Sequence, residues 1–183
     1  GHGRFEWTVE GVDYAKQVMP PSVIDMTYTA ENLVAEMDYA GVDMALIHTN
    51  PMLSRDSAFL AECVRLYPER LRSMAPVDEW RIPTETDAVI GELEKAIKEH
   101  GLHAIKFNAS CAYLNNTVPW DSGPFRPFWD AATALGVPIF FTMCTGPDEL
   151  ETSPQVQRQR YLDEQRILLR WMERYPEAVC SLT

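Results

Sequence analysis

Lys106 stands inside the apolar run Ala104-Ile105-Lys106-Phe107, where an unpartnered ammonium is costly to bury. It therefore calls for a carboxylate, a metal-bridging modification or an anionic substrate. Asn108 follows two residues later and points the same way on an extended strand. His48 closes another apolar run, Ala45-Leu46-Ile47, and leads into Thr49, Asn50 and Pro51. A histidine placed there either caps the strand by hydrogen bonding or meets a substrate or metal. The matching positions after two further apolar runs are Asp78 and Glu79, and Thr142 to Thr145. Trp80 and Trp120 fall in segments expected to be loops, where they would line an apolar pocket for a flat or ring-shaped ligand. The catalytic candidates are thus His48 and Lys106. The substrate-binding candidates are Asn50, Asn108, Trp80, Trp120 and Thr142.

What must position these residues is a repeated junction. An amphipathic helix ends at a glycine and a short apolar strand follows at once, in MDYAGVDMALIH, IKEHGLHAIKFN and ATALGVPIFFTM. Gly41, Gly101 and Gly136 each fall where a helix needs a left-handed residue just past its end. In a second version, RLYPERLRSMAPV and ERYPEAVCSLT, Pro68 and Pro176 stop the helix instead. The pattern predicts strands over 43–48, 71–77, 102–108, 137–143 and 178–183. Helices are expected over 29–40, 54–67, 84–99, 124–135 and 155–174. Strict alternation of the two, with strands that are nearly continuous apolar runs, predicts a parallel sheet covered on both faces. Nothing reads as a linker, so one domain over 1–183 is expected.

Composition narrows the partners. A formal charge of −11 without any Lys/Arg-rich tract argues against nucleic acid and anionic membrane surfaces. A small-molecule substrate or another protein is the expected partner. The four cysteines are far apart and form no CxxC pair, as for reduced thiols in the cytoplasm. No apolar stretch approaches transmembrane length.

Two architectures share these units. A doubly wound nucleotide-binding sheet would carry a glycine-rich turn after an early strand, but HTNPMLSRD after Ile47 contains no glycine. That favours a barrel. The ordered series GVDMALIH, YPERLRSMAPVD, GLHAIKFN and FRPFWDAATALGVPIFFT resembles the amidohydrolase-related family, with its aromatic-acid decarboxylases and lactonases. The resemblance implies a (β/α)8 barrel with its site at the C-terminal strand ends. It also implies a divalent metal, zinc or manganese, held by an HxH pair on the first strand, a histidine after the fifth and an aspartate after the eighth. His2 is the first-strand candidate here, and Thr142 stands where the family has its later histidine. His100 and His103 fall at a helix–strand junction away from that end and read as structural. Since such a barrel needs about 250 residues, this chain is expected to be about five to six βα units of a longer barrel, with open sheet edges that favour a homo-oligomer. The implied activity is hydrolysis or decarboxylation of a small carboxylated, cyclic or aromatic substrate. The alternatives are a non-catalytic barrel or ligand-binding module that has lost the metal centre, and a flavodoxin-like open sheet.

Overall fold

The computed structural model describes residues 2–9, 11–22, 24, 28–49, 55–113, 117–143 and 154–182. These pack as two compact units, Gly1–Asp43 and Met44–Thr183.

In the first unit, β1 (Arg4–Val9) and β2 (Val12–Gln17) form an antiparallel hairpin whose register ends on Val9 opposite Val12. The tight connection contains Gly11 at φ 79°, the left-handed conformation that short hairpin loops demand. Gly3 is also required as glycine. Its φ is 68°, and a Cβ there would meet the Met19 carbonyl oxygen at 2.5 Å. α1 (Ala30–Ala40) follows, with the Thr29 hydroxyl accepting from the Asn32 N–H at 3.3 Å. It ends on Gly41 at φ 69°, and the Val42 N–H closes back on the Met37 carbonyl at 2.8 Å, the capping expected of a helix-terminating glycine.

The second unit alternates strand and helix throughout. In chain order it holds β3 (Ala45–Ile47), α2 (Ser57–Leu66), β4 (Leu71–Ala75), α3 (Thr86–Lys98), β5 (Ala104–Asn108), α4 (Arg126–Ala134), β6 (Ile139–Thr142), α5 (Pro154–Arg174) and β7 (Cys180–Leu182). The strands form one sheet, all parallel, in the order β3-β4-β5-β6-β7. No switch point interrupts that order, which removes the flavodoxin-like alternative. Gly101 and Gly136 take φ 68° and 69° at their helix–strand junctions, as expected.

The two faces of this sheet differ. Ile105, Phe107, Ile139 and Phe141 are buried on the face packed by helices, where Phe107 and Phe141 meet Trp129 of α4 and Phe141 meets Trp171 of α5. Tilted and edge-on ring pairs of this kind add to the stabilisation from area alone. Lys106, Asn108, Phe140 and Thr142 alternate with them and are only half-buried. The expectation of strands covered on both faces is therefore corrected: one face is sealed by aromatic packing, and the other carries the polar residues. No helix among the described residues is long and apolar enough to cross a membrane.

Candidate functional site

The C-terminal ends of β3, β4 and β5 converge on a narrow cleft lined by Thr49, Arg55, Pro76, Val77, Glu79, Lys106 and Asn108. Lys106 and Asn108 enter it from alternate positions of β5. Glu79 and Trp80 come from a 3-10 turn, Glu79–Arg81, that begins four residues after β4. Arg55 lies just before Asp56, whose carboxylate caps α2 by accepting from the Ala58 and Phe59 N–H groups at 2.9 and 3.0 Å. That cap fixes where the chain leaves the loop and so where Arg55 can reach.

Glu79 is the charged centre of the cleft, with only 2% of its surface exposed. One oxygen accepts the Asn108 backbone N–H at 2.7 Å, and the other accepts from Arg55 Nη1 at 3.3 Å. Burial pushes its pKa up to about 7, and the Asn108 amide and the Arg55 charge hold it from rising further. Arg55 Nη1 also donates to the Val77 carbonyl and stands 3.1 Å from Asp78 Oδ1, close enough for an ion pair but without hydrogen-bond geometry. The Arg55 guanidinium lies over the Trp80 ring, 4.3 Å from its centre, a favourable cation–π arrangement. Asp78 is shared with Arg81 at 3.0 Å, and Arg81 also binds Glu85 and Glu92 at the surface.

The structure thus gathers Lys106 and Asn108 in the cleft and sets Trp80 against Arg55. The Asn108 side-chain oxygen accepts from the Ser110 amide and hydroxyl at 3.1 and 2.7 Å. Thr142 lies level with Asn108 on β6. His48 is exposed past the end of β3, its Nδ1 3.2 Å from the Thr49 carbonyl. Asn50 lies outside the described residues. Trp120, expected at a ligand pocket, is instead fully buried among Phe107, Trp129 and Phe141. Its indole N–H donates to Glu164 at 2.7 Å, so a polar tip that would otherwise be stranded is satisfied inside the helix layer. His2, the first-strand metal candidate, belongs to the first unit. It lies in the turn before an antiparallel hairpin strand, outside the five-stranded parallel sheet, with φ 57° and Nδ1 3.3 Å from the Pro21 carbonyl. Arg55 is the residue that sequence reasoning missed. Its signal was a cation in a post-strand loop directly before an aspartate that can cap a helix. His100 lies 3.0 Å from Ser57 Oγ, and His103 Nδ1 accepts weakly from the Ser73 N–H at 3.4 Å.

A family model described as Amidohydrolase matches residues 4–180. The chain belongs to the amidohydrolase family. Solved structures similar to this chain include 2,6-dihydroxybenzoate decarboxylase from Rhizobium, with a TM-score of 0.64 at 18% identity over 83% of this chain and 55% of that one. A 5-carboxyvanillate decarboxylase from Novosphingobium aromaticivorans, with bound manganese and 3-methoxy-4-hydroxy-5-nitrobenzoic acid, gives 0.62 at 20% identity over 86% and 49%. The 4-oxalomesaconate hydratase from Rhodopseudomonas palustris gives 0.60 at 17% identity over 89% and 53%. A search of curated proteins by sequence finds no match. The chain spans about half the length of these solved structures. Its fold is that of a (β/α)8 barrel, of which the described residues supply five consecutive parallel strands.

A divalent metal is the family's expected cofactor, and the described residues do not fit one. Among them no three His, Cys, Asp or Glu side chains gather as a metal centre requires. Both oxygens of Glu79 are already engaged by the Asn108 amide and Arg55.

Proposed function

We propose that this amidohydrolase-family chain is part of an enzyme that hydrolyses or decarboxylates a small carboxylated substrate, cyclic or aromatic in kind. The observation that carries the reading is the convergence of Lys106, Asn108, Glu79 and Arg55 at the C-terminal strand ends of this barrel fold, the end where such folds build their sites. The decarboxylase neighbours, whose names specify aromatic acids, support the substrate class.

In this reading Lys106 holds the substrate's anionic group. Asn108 and His48 hydrogen-bond nearby, with Asn50, Thr142 and Trp80 contributing to the substrate's surroundings. Glu79, with a pKa near 7, exchanges a proton readily at neutral pH. Any divalent metal would draw at least part of its ligand set from outside the described residues, and stoichiometric zinc or manganese in the purified protein would support that part of the reading. The substrate is a small molecule, and neither nucleic acid nor membrane enters the reaction.

The test is a panel of hydroxylated benzoates, lactone dicarboxylates and their amides, followed by carbon dioxide release and by proton release. Turnover of at least one carboxylated member, falling about 100-fold in Lys106→Met, is expected. Turnover indifferent to Lys106→Met would remove the role given to Lys106. No turnover of any member would overturn the reading.

A further inference from the structure

Among the described residues, the hydrogen bonds and ion pairs of Arg55 all fall on one corner of its guanidinium. Nη1 serves Val77, Asp78 and Glu79. Nε and Nη2 are buried and have no hydrogen-bond acceptor among the described residues. These two nitrogens form one edge of the planar group, the edge that grips a carboxylate through two parallel N–H···O bonds. A buried donor left without an acceptor is destabilising, and more so when it is charged. Two such donors on one edge mark a place prepared for an acceptor. Thr49 Oγ1, in the lining of the same cleft, is also buried and without a hydrogen-bond partner among the described residues.

The cleft holds charge of both signs: its lining carries Arg55 and Lys106 with Glu79, and Asp78 stands 3.1 Å from Arg55. Trp80 lies against the guanidinium, its ring centre 4.3 Å away, and this contact limits the side-chain freedom lost when a ligand arrives.

We infer that the Nε/Nη2 edge of Arg55, with the Thr49 hydroxyl, is a carboxylate-binding subsite. The inference deepens the functional reading above and rests on it for the kind of acid bound. There Lys106 holds the anion; here Arg55 supplies the geometry that tells a carboxylate from other groups. Both nitrogens are covered by the chain, so the ligand enters by displacing what lies over them.

The probes are benzoate and its neutral isostere benzamide, titrated against the wild-type protein and Arg55→Lys. Lysine keeps the charge but lacks the two-nitrogen edge. Benzoate should bind the wild type more than about tenfold tighter than benzamide, and Arg55→Lys should lose most of that difference. Saturating benzoate should also shift the Arg55 Nε–H resonance in nitrogen-labelled wild-type protein, a measurement that stands even if the variant folds poorly. Equal affinity for the two probes, or an unmoved Nε–H resonance, overturns the subsite. Turnover of a carboxylated substrate with either of those results leaves the functional reading standing. Benzoate held through Arg55 without turnover of any acid keeps the subsite and sinks the functional reading.

Discussion

Glu79 makes stability depend on pH in a direction opposite to that of an ordinary surface carboxylate. Its folded pKa, about 7, lies above the ordinary glutamate value of 4.5, so the folded chain holds the proton more tightly than the unfolded chain does. The resulting stabilisation is fully present below about pH 4.5 and is lost as the pH rises through about 7. Urea midpoints measured across that window should fall with rising pH, by an amount on the order of a few kcal/mol in free energy. Glu79→Gln, which has no proton to lose, should flatten the slope. An unchanged slope in the variant would place the titrating group elsewhere. Lys106 and Asn108 were legible because an ionic residue in an apolar strand is an anomaly that needs an explanation. Arg55 was not, because an arginine in a polar loop before a helix looks ordinary until Val77, Asp78 and Glu79 are brought against it from the next βα unit.

The helix–strand junctions carry separable contributions that two glycines can expose. Gly136 has φ 69°, and a methyl group added there would find nothing within 4 Å, so Gly136→Ala meets only backbone strain. It should lower stability by about 1–2 kcal/mol, seen as a fall in Tm. Gly91 lies inside α3 with ordinary dihedrals and the same open surroundings. Gly91→Ala should therefore raise stability by about 0.5–1 kcal/mol, and a matching fall at both sites would contradict this account of the junctions. These junctions were the most legible part of the chain, since glycine and proline state their backbone geometry directly. The β1–β2 hairpin was missed, although Phe5, Trp7 and Val9 alternate with polar residues and Glu10-Gly11 is a short turn signal. The expectation of a strand–helix alternation along the whole chain hid a local pattern with a period of two.

Taken as a whole, the second unit is secured from one side. Phe107 touches Trp120, Phe128, Trp129 and Phe141 at once. Phe107→Ala should cost about 3–5 kcal/mol, measured by chemical denaturation. The edge strands β3 and β7 expose Leu46 at 38% and Leu182 at 54%, and apolar side chains on open parallel edges favour association. Sedimentation of the 183-residue chain should show a mass that rises with concentration, and a constant monomer mass would contradict it. The strand order was foreseeable because each junction is short, while the sidedness of the sheet was not, because alternation within β5 and β6 is masked by apolar residues on both faces. The order β3-β4-β5-β6-β7 has one more consequence, for the chain as it is being made. Each of β4 to β7 emerges from the ribosome to find one of its neighbours already synthesised. The sheet can therefore grow by addition at one edge during translation, each helix covering the newest pair before the next strand arrives. The growing edge of the sheet then stays open until the next strand arrives.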